Sequence, residues 1–195
     1  MGPGEAMPET TDRRAAFVTF SAQIGPETAD ALFTTVLKLI SPEVDAIHLL
    51  LSTPGGSVMN GITLYNLLRG LPTHLVTHNV GNVDSIGNAV FLAGAERFAC
   101  PQATFMFHGV GQTALNERLD ERRLREGLES VLADQDRIGA IIEDRTSLTR
   151  EEIAPLFTTA QTKDAGYALD AGIIHDIREV HIPADAPVVA LQFDH

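Results

Sequence analysis

A short apolar run, AIHLLLS at positions 46–52, constrains the fold of this chain more than any other feature. An uninterrupted run of this length is typical of a strand that is buried on both faces, and such strands occur in parallel sheets covered by helices. Similar segments lie at 15–24 and 74–80, and apolar residues at helical spacing separate the three. This alternation predicts βαβ units, and therefore an α/β fold with a mostly parallel sheet.

The rest of the chain extends the pattern. Helices are predicted at 26–40, 58–71, 85–95, 149–157 and 163–172, and further strands at 97–100, 103–108 and 173–182. One long charged helix is predicted over 115–145, and its apolar stripe is thinner than that of a core helix. Such a helix either projects and packs against another subunit or lies solvated on the surface.

Length, charge and cysteine content restrict the class of protein. The 195 residues suit a single domain at 15–182, a polar tail at 1–14 and a C-terminal segment at 183–195 that is either a tail or an edge strand. A net charge of −12 argues against nucleic acid and anionic membranes as partners. No apolar segment reaches the roughly 20 residues that cross a bilayer. The one cysteine permits no intrachain disulfide, so a reducing, cytoplasmic location is expected.

Three loops that follow predicted strands carry residues able to do chemistry. In TPGGSV, at 53–58, adjacent glycines let backbone N–H groups approach a ligand, although a plain turn with Ser57 as helix cap also fits. Ser85 either caps the next helix or places its hydroxyl where an oxyanion is stabilised. His108 is either a structural ring or a general base, and the other six histidines show no metal-ligand spacing. Because the carboxyl ends of parallel strands share one edge, these loops are expected to converge.

The three loops also resemble a known family when they are taken in order. STPGGSV, GNVDSIGNAVFLAGA and FMFHG are similar to the signature blocks of the Clp protease proteolytic subunit family, in which a glycine-rich loop, a helix-opening serine and a strand-end histidine follow one another. The resemblance runs from about Phe17 to Ile182 and extends more distantly to signal peptide peptidases and crotonase-like enzymes. It implies a crotonase-like layered sheet with flanking helices and one long projecting helix.

The resemblance implies a serine-type endopeptidase that acts through an acyl-enzyme. Ser85 would be the nucleophile, His108 the general base, and the backbone N–H groups of Gly56 and Ile86 the oxyanion hole. Peptides or unfolded proteins would be the substrates. The subunits would form a hexameric or heptameric ring, single or stacked, with the helix at 115–145 joining two rings. No metal or organic cofactor is implied.

Two departures from the family pattern bear on activity. Where family members carry the aspartate of the triad, this chain has Ala160, and no carboxylate occurs between Glu152 and Asp164. Asp164 is better explained as the cap of the next helix, so the third triad member is unknown. Loss of a triad acid typically costs about 10⁴ in turnover, so the site is a dyad, takes its acid from elsewhere in the fold, or has reduced activity. The N-terminal segment is short and dissimilar, and Gly109-Val110 follows the histidine, which weakens the implied partnership with an AAA+ unfoldase.

Two alternatives from other functional classes remain at the level of sequence. A catalytically silent homologue that serves as a ring subunit or scaffold is favoured by Ala160. A crotonase-like acyl-CoA enzyme would also use a diglycine oxyanion hole. In that chemistry the serine and histidine have no necessary part, and a net charge of −12 suits a phosphate-rich cofactor poorly.

Overall fold

The computed structural model describes residues 14–111 and 120–193. The elements in this part of the chain are β1 (Ala15–Ser21), α1 (Pro26–Leu39), β2 (Ala46–Thr53), α2 (Val58–Arg69), β3 (His74–Asp84), α3 (Gly87–Phe91), β4 (Glu96–Ala99), β5 (Thr104–Phe107), α4 (Glu121–Arg145), α5 (Arg150–Thr159), β6 (Gln161–Asp164), α6 (Ala165–Asp170), β7 (Asp176–Ile177) and β8 (Val188–Ala190).

The strands form one sheet with the order β6-β5-β3-β2-β1-β8. The long strand β3 serves two neighbours in turn, because residues 76–79 pair with β4 and residues 82–84 pair with β5. Strand β7 pairs with β4. Every pairing is parallel except that of β5 with β6. The predicted α/β fold with a mostly parallel sheet is therefore confirmed.

The core lies where the apolar faces of the central strands meet the helices. Leu49 and Leu51 of β2 are fully buried, and so are Val90, Phe91 and Phe105 around the strand ends. Burying a side chain of this kind contributes roughly 1.5–3 kcal/mol to the free energy of unfolding. The strand ends that carry the predicted site are thus firmly anchored.

Three elements differ from the predictions. The helix predicted at 85–95 is reduced to Gly87–Phe91, because Ser85 has a φ of 57° and so cannot begin a right-handed helix. The strand predicted at 173–182 keeps only the two residues Asp176–Ile177. Strand β6 has no counterpart among the predicted strands, since its sequence QTKD is polar, and it pairs with β5.

The long helix α4 changes character along its length. Its start is described from Glu121, and the first predicted residues, 115–119, lie outside the described part. Near this start, the side chains of Leu124, Leu128 and Leu132 are 56, 59 and 50% exposed. Towards the other end, Ile138 and Ile142 are buried in the core. The first half of α4 therefore carries an uncovered apolar stripe, with its leucines four residues apart.

Two arginines fix the C-terminal end of α4. The buried guanidinium of Arg97 donates to the carbonyl oxygen of Arg145 at 3.0 Å, and the Arg145 guanidinium donates to the carbonyl oxygens of Leu92 at 3.2 Å and Gly94 at 3.0 Å. Burial lowers the pKa of Arg97 to about 10, and nearby Arg145 acts in the same direction, so Arg97 stays charged at neutral pH. These charge-assisted bonds hold α4 against the loop between α3 and β4.

A row of aromatic rings crosses the sheet from β1 to β4. The centroids of Phe17 and His48 are 4.7 Å apart, those of His48 and His78 5.2 Å, and those of His78 and Phe98 5.4 Å. The guanidinium of Arg178 lies 3.3 Å above the ring centroid of Phe98. Nδ1 of His48 and Nε2 of His78 are 2.9 Å apart and share a hydrogen bond.

The C-terminal segment closes the sheet beside β1. Strand β8 pairs with β1, and Phe193 packs edge to face against Phe20 at 5.8 Å. Residues 1–13 and 194–195 lie outside the described part, so the predicted division into tail, domain and C-terminal segment remains a prediction. Across 14–111 and 120–193, the structure contains no helix with the length and apolar character needed to cross a membrane.

Candidate active site

Ser85 occupies a left-handed turn at the end of β3. Its φ is 57°, a backbone conformation that costs roughly 1–2 kcal/mol for a residue with a side chain. Its N–H donates to the carbonyl oxygen of Met106 in β5 at 2.8 Å, which holds the turn beside the neighbouring strand. The N-cap of α3 is Ile86, without a side-chain hydrogen bond. The interpretation of Ser85 as a helix cap is therefore wrong, and its hydroxyl forms no capping bond.

Asn88, which the sequence analysis did not single out, locks this turn to β5. Its side chain is 2% exposed, and Nδ2 donates to the carbonyl oxygens of Ser85 at 3.0 Å and Met106 at 2.9 Å. The Oδ1 atom of Asn88 has no partner in the described structure. The sequence does contain a signal for Asn88, because it is an amide side chain inside a run of small and apolar residues. A buried amide needs hydrogen-bond partners, so such a residue is expected to hold neighbouring backbone in place.

The diglycine turn packs directly against the serine. Gly55 and Gly56 have φ values of 85° and 144°, which favour glycine. A Cβ atom on Gly55 would lie 2.6 Å from Cβ of Ser85, and one on Gly56 would collide with the carbonyl oxygen of Ile24. Ser57 caps α2, in agreement with one interpretation of this segment. The two glycines let the backbone approach the serine more closely than other residues would allow.

One cavity of about 290 Å³ collects the four residues predicted for the site. Ser85, His108, Gly56 and Ile86 all line it. Within the described residues, the N–H groups of Gly56 and Ile86 make no hydrogen bond. Unpaired N–H groups beside a serine are what an oxyanion hole requires. The apolar side chains of the lining are Val58, Phe107, Val110, Ile138, Ile142 and Phe157.

His108 follows β5 and is half-buried at this cavity. Its Nδ1 atom lies 2.7 Å from the carbonyl oxygen of Gly109. Because a carbonyl oxygen can only accept, this contact favours a ring with a proton on Nδ1, and the neutral form of that tautomer has the Nε2 lone pair that a general base for a serine requires. Among the described residues, no hydrogen bond joins the His108 ring to the Ser85 hydroxyl. The two side chains therefore line one cavity but are not hydrogen-bonded to each other.

The segment after His108 is tied to two helices. The N–H of Gly109 donates to the carbonyl oxygen of Phe157 in α5 at 2.8 Å. The N–H of Val110 donates to Oε1 of Gln135 in α4 at 3.1 Å. A Cβ atom on Gly109 would lie 2.6 Å from Oε1 of Gln135, so glycine allows this close approach. Gly109 and Val110, which depart from the family pattern, are thus both hydrogen-bonded to the neighbouring helices.

Ala160 stands at the turn between α5 and β6, one residue before the paired part of β6. Strands β5 and β6 are antiparallel with Phe107 opposite Gln161, the residues that adjoin His108 and Ala160 in the sequence. Ala160 is exposed, follows the last residue of α5 and has a φ of 48°. Its methyl group offers no acceptor to the imidazole.

The carboxylates nearest in sequence to Ala160 have other roles. Asp164 accepts a hydrogen bond from the N–H of Tyr167 at 2.8 Å and caps α6, as predicted. Glu152 accepts from the N–H of Thr149 at 2.8 Å in the capping box that opens α5. Over the described ranges, His, Cys, Asp and Glu side chains form no group of three or more that could hold a metal ion.

Comparison with known proteins agrees with this arrangement. Residues 10–181 match the family model described as Clp protease. The chain is 30% identical over 147 residues to the ATP-dependent Clp protease proteolytic subunit 2 of Cutibacterium acnes, covering 64% of this chain and 69% of that protein. It is 25% identical over 181 residues to the proteolytic subunit 1 of Leifsonia xyli subsp. xyli, covering 88% of each.

A solved structure shows the same fold. A ClpP1 mutant from Listeria monocytogenes superposes with a TM-score of 0.73 at 22% identity, covering 86% of this chain and 92% of that one. The crotonase-like layered fold that the motifs implied is therefore confirmed. Together with the family match over most of its length, this places the chain in the Clp protease family of serine peptidases.

Proposed function

We propose that this chain hydrolyses peptide bonds through an acyl-enzyme formed on Ser85. The observation that carries the proposal is the left-handed Ser85 turn, which shares one cavity with His108 and with the unpaired N–H groups of Gly56 and Ile86. The proton on Nδ1 of His108 supports the role of general base for its Nε2 atom. The substrates are peptides or unfolded proteins, in line with the family.

The reaction needs no group beyond these residues and water. His108 Nε2 takes the hydroxyl proton while Ser85 Oγ attacks the substrate carbonyl carbon, and the N–H groups of Gly56 and Ile86 donate to the resulting oxyanion. His108 then gives the proton to the leaving amine, and the peptide C–N bond breaks. A water molecule, deprotonated by the same ring, hydrolyses the ester on Ser85 and releases the second product.

Two features support a turnover below that of a complete triad. The acceptor at Nδ1 of His108 is a neutral carbonyl, which stabilises an imidazolium less than a carboxylate does. In addition, the hydroxyl of Ser85 is not yet hydrogen-bonded to the ring, so the pair has to close when substrate binds. Loss of a triad carboxylate typically costs about 10⁴ in turnover, and the bond to Gly109 recovers part of this loss.

The active form in this proposal is a cytoplasmic ring of six or seven copies of the chain, single or stacked. The resemblance to Clp proteolytic subunits supports the ring, and the exposed leucines of α4 are suited to a contact between subunits. The names of the curated relatives include the word ATP-dependent. An unfoldase ATPase is not included in the proposal, because the N-terminal sequence differs from that of the family.

Labelling with a fluorophosphonate tests the proposed chemistry directly. The reagent phosphonylates only a serine that a neighbouring base activates, so the intact protein should carry one adduct, located on Ser85 by peptide mass spectrometry. The Ser85→Ala variant should carry none, and Thr53→Ser, which puts a serine hydroxyl in place of the threonine hydroxyl near the same loop, provides a control whose adduct should remain on Ser85 alone. Absence of an adduct under conditions that label an active Clp protease would overturn the proposal.

Ala160, in place of the aspartate that the family resemblance implies, favours one second candidate, a catalytically silent ring subunit. In that case the protein would still assemble, but Ser85 would not react. The labelling experiment separates the two candidates, because only the peptidase forms the adduct.

A further inference from the structure

The residues around His108 suggest how this chain works without the triad aspartate. We propose that the peptide group between Gly109 and Val110 takes the place of the missing carboxylate, and that Gln135 is the positioning residue that orients and polarises it. This inference rests on the proposed peptidase function. It assigns a role to a helix residue and to a loop that departs from the family pattern.

The first observation is a chain of two hydrogen bonds through one peptide group. His108 Nδ1–H donates to the Gly109 carbonyl oxygen at 2.7 Å, and the Val110 N–H donates to Gln135 Oε1 at 3.1 Å. The carbonyl and the N–H belong to one planar, conjugated amide. An acceptor on the N–H side draws electron density towards the carbonyl oxygen, and bonds linked in this way strengthen one another. Gln135 therefore increases the partial negative charge that the imidazole ring faces.

The second observation is that both ends of this peptide group are held. The Gly109 N–H is bound to the carbonyl oxygen of Phe157 at 2.8 Å, which fixes the residue against α5. Gln135 lies on α4, whose C-terminal end is fixed by Arg97 and Arg145. The carbonyl oxygen that meets His108 thus has a defined direction, as the oxygen of a triad carboxylate does.

Few charged groups lie near the two hydrogen bonds that link His108 to Gln135. Apart from the Ser85 hydroxyl, His108 is the one ionisable side chain among the described residues that line the cavity.

The charged groups near Gln135 are paired with one another. Asp136 and Arg150 line a second cavity together with Gln135, and Arg150 is paired with Asp136 at 3.8 Å and with Glu143 at 2.8 Å. Asp134, the other neighbour of Gln135 on α4, is paired with Arg137 at 3.0 Å. Within the described structure, Nε2 of Gln135 makes no hydrogen bond. A substitution that removes this nitrogen therefore breaks no hydrogen bond.

Two substitutions of nearly equal size at Gln135 should act in opposite directions. Gln135→Met keeps the length of the side chain but removes the acceptor, so the rate of Ser85 labelling should fall about threefold to tenfold. Gln135→Glu replaces the acceptor with a charged one, so the rate should rise about threefold. The acid limb of the pH–rate profile should move to lower pH in the methionine variant and to higher pH in the glutamate variant, because the imidazolium is less or more stabilised.

The experiment measures the rate of fluorophosphonate labelling of Ser85 against pH in the full-length protein. Ala140→Glu, at an exposed position of the same helix, adds an equal charge away from the loop and should leave the profile unchanged. A purely structural role for Gln135 predicts losses in both variants and no shift of the acid limb. Equal rates in both variants, or losses in both, would overturn the inference while wild-type labelling upholds the proposed function.

A second measurement decides the matter even if Ser85 proves unreactive. Solid-state ¹⁵N spectra of histidine-labelled protein, assigned by comparison with His108→Asn, report which ring nitrogen of His108 carries the proton. We expect protonated Nδ1, with a resonance that moves in opposite directions in the two Gln135 variants. A ring protonated on Nε2, or a resonance that both variants leave in place, would contradict the inference independently of activity.

Discussion

At the scale of single residues, Ala160 occupies the position at which the resemblance to the family implies the triad aspartate. It directly precedes Gln161, which pairs with Phe107 next to His108, and it has a φ of 48°. Aspartate and asparagine tolerate this left-handed conformation better than alanine does. The exposed position also gives a longer side chain room. The backbone is therefore already suited to the residue that the family carries.

Introducing a carboxylate at this position should increase activity. We expect Ala160→Asp to raise the turnover of Ser85 chemistry about tenfold or more, since a triad carboxylate is worth about 10⁴ in full and the geometry here is not optimised. The measurement is hydrolysis of a fluorogenic peptide together with the rate of fluorophosphonate labelling.

Asparagine provides the matched control, because Ala160→Asn has the same shape and the same backbone preference but no charge. Its activity should stay within a fewfold of wild type. Equal activity of the alanine, asparagine and aspartate forms would mean that another group already stabilises the imidazolium fully.

At the scale of secondary-structure elements, the pairing of β2 with β3 places two histidines against each other. The pKa of His48 is lowered to about 4 and that of His78 to about 3, mostly by burial, and the positive guanidinium of Arg178 contributes to both shifts. The proximity of His48 also lowers the pKa of His78. Glu96 acts in the opposite direction on His48, and it is paired with His74 at 2.7 Å. Both rings are therefore neutral at pH 7.

Acid should destabilise the fold through this pair. An unfolded histidine has a pKa near 6.5, so the unfolded state binds protons first as the pH falls. The stabilisation is complete above pH 6.5 and declines from there towards pH 4 and pH 3. We expect the free energy of unfolding in urea, at fixed protein concentration, to fall by about 3 kcal/mol between pH 6.5 and 4, after discounting for partial solvation and coupling.

Removal of the two rings should flatten this dependence. The double variant with His48→Phe and His78→Leu keeps apolar contacts with Phe17 and Phe98, and should lose much less stability over the same interval. His181→Gln is the control, because His181 is exposed and outside the row. A double variant with the slope of the wild-type protein would show that other groups cause the acid sensitivity.

At the scale of the whole molecule, the exposed stripe of α4 is the surface that we propose for a contact between subunits. Leu124, Leu128 and Leu132 are each at least half exposed and lie on one face of the helix at four-residue spacing. Burying such a side chain in a contact is worth roughly 1.5–3 kcal/mol. Three leucines on each of several subunits would therefore stabilise an assembly substantially.

A charge in this stripe should weaken the assembly. We expect sedimentation velocity to show a ring for the wild-type protein and smaller species for Leu128→Arg at the same micromolar concentration. Ser130→Arg places the same charge about 200° around the helix and should leave the sedimentation coefficient unchanged. A wild-type protein that sediments as a stable monomer of 21.0 kDa would exclude the ring.

Much of the fold could be predicted because its signals are local. The apolar run of β2 and the helical spacing of its neighbours indicated a parallel sheet, which the strand pairings confirm. The short α3 was missed, because the sequence DSIGNAV suits a helix start at Ser85, whereas pairing of the Ser85 N–H with Met106 imposes a left-handed turn. Strand β6 was missed because β5, with which it pairs, lies more than 50 residues earlier in the chain.

The sequence by itself predicted the α/β class and the convergence of the three loops, because the carboxyl ends of parallel strands share one edge, and its family blocks pointed to Ser85, His108, Gly56 and Ile86, which line one cavity. It also showed that no carboxylate follows Glu152 until Asp164. Only the tertiary structure decided what the imidazole contacts instead, namely the Gly109 carbonyl oxygen, with Gln135 behind it. That arrangement depends on a helix meeting a loop about 25 residues away in sequence, and such a meeting is set by the packing of α4 and α5, which no local pattern records.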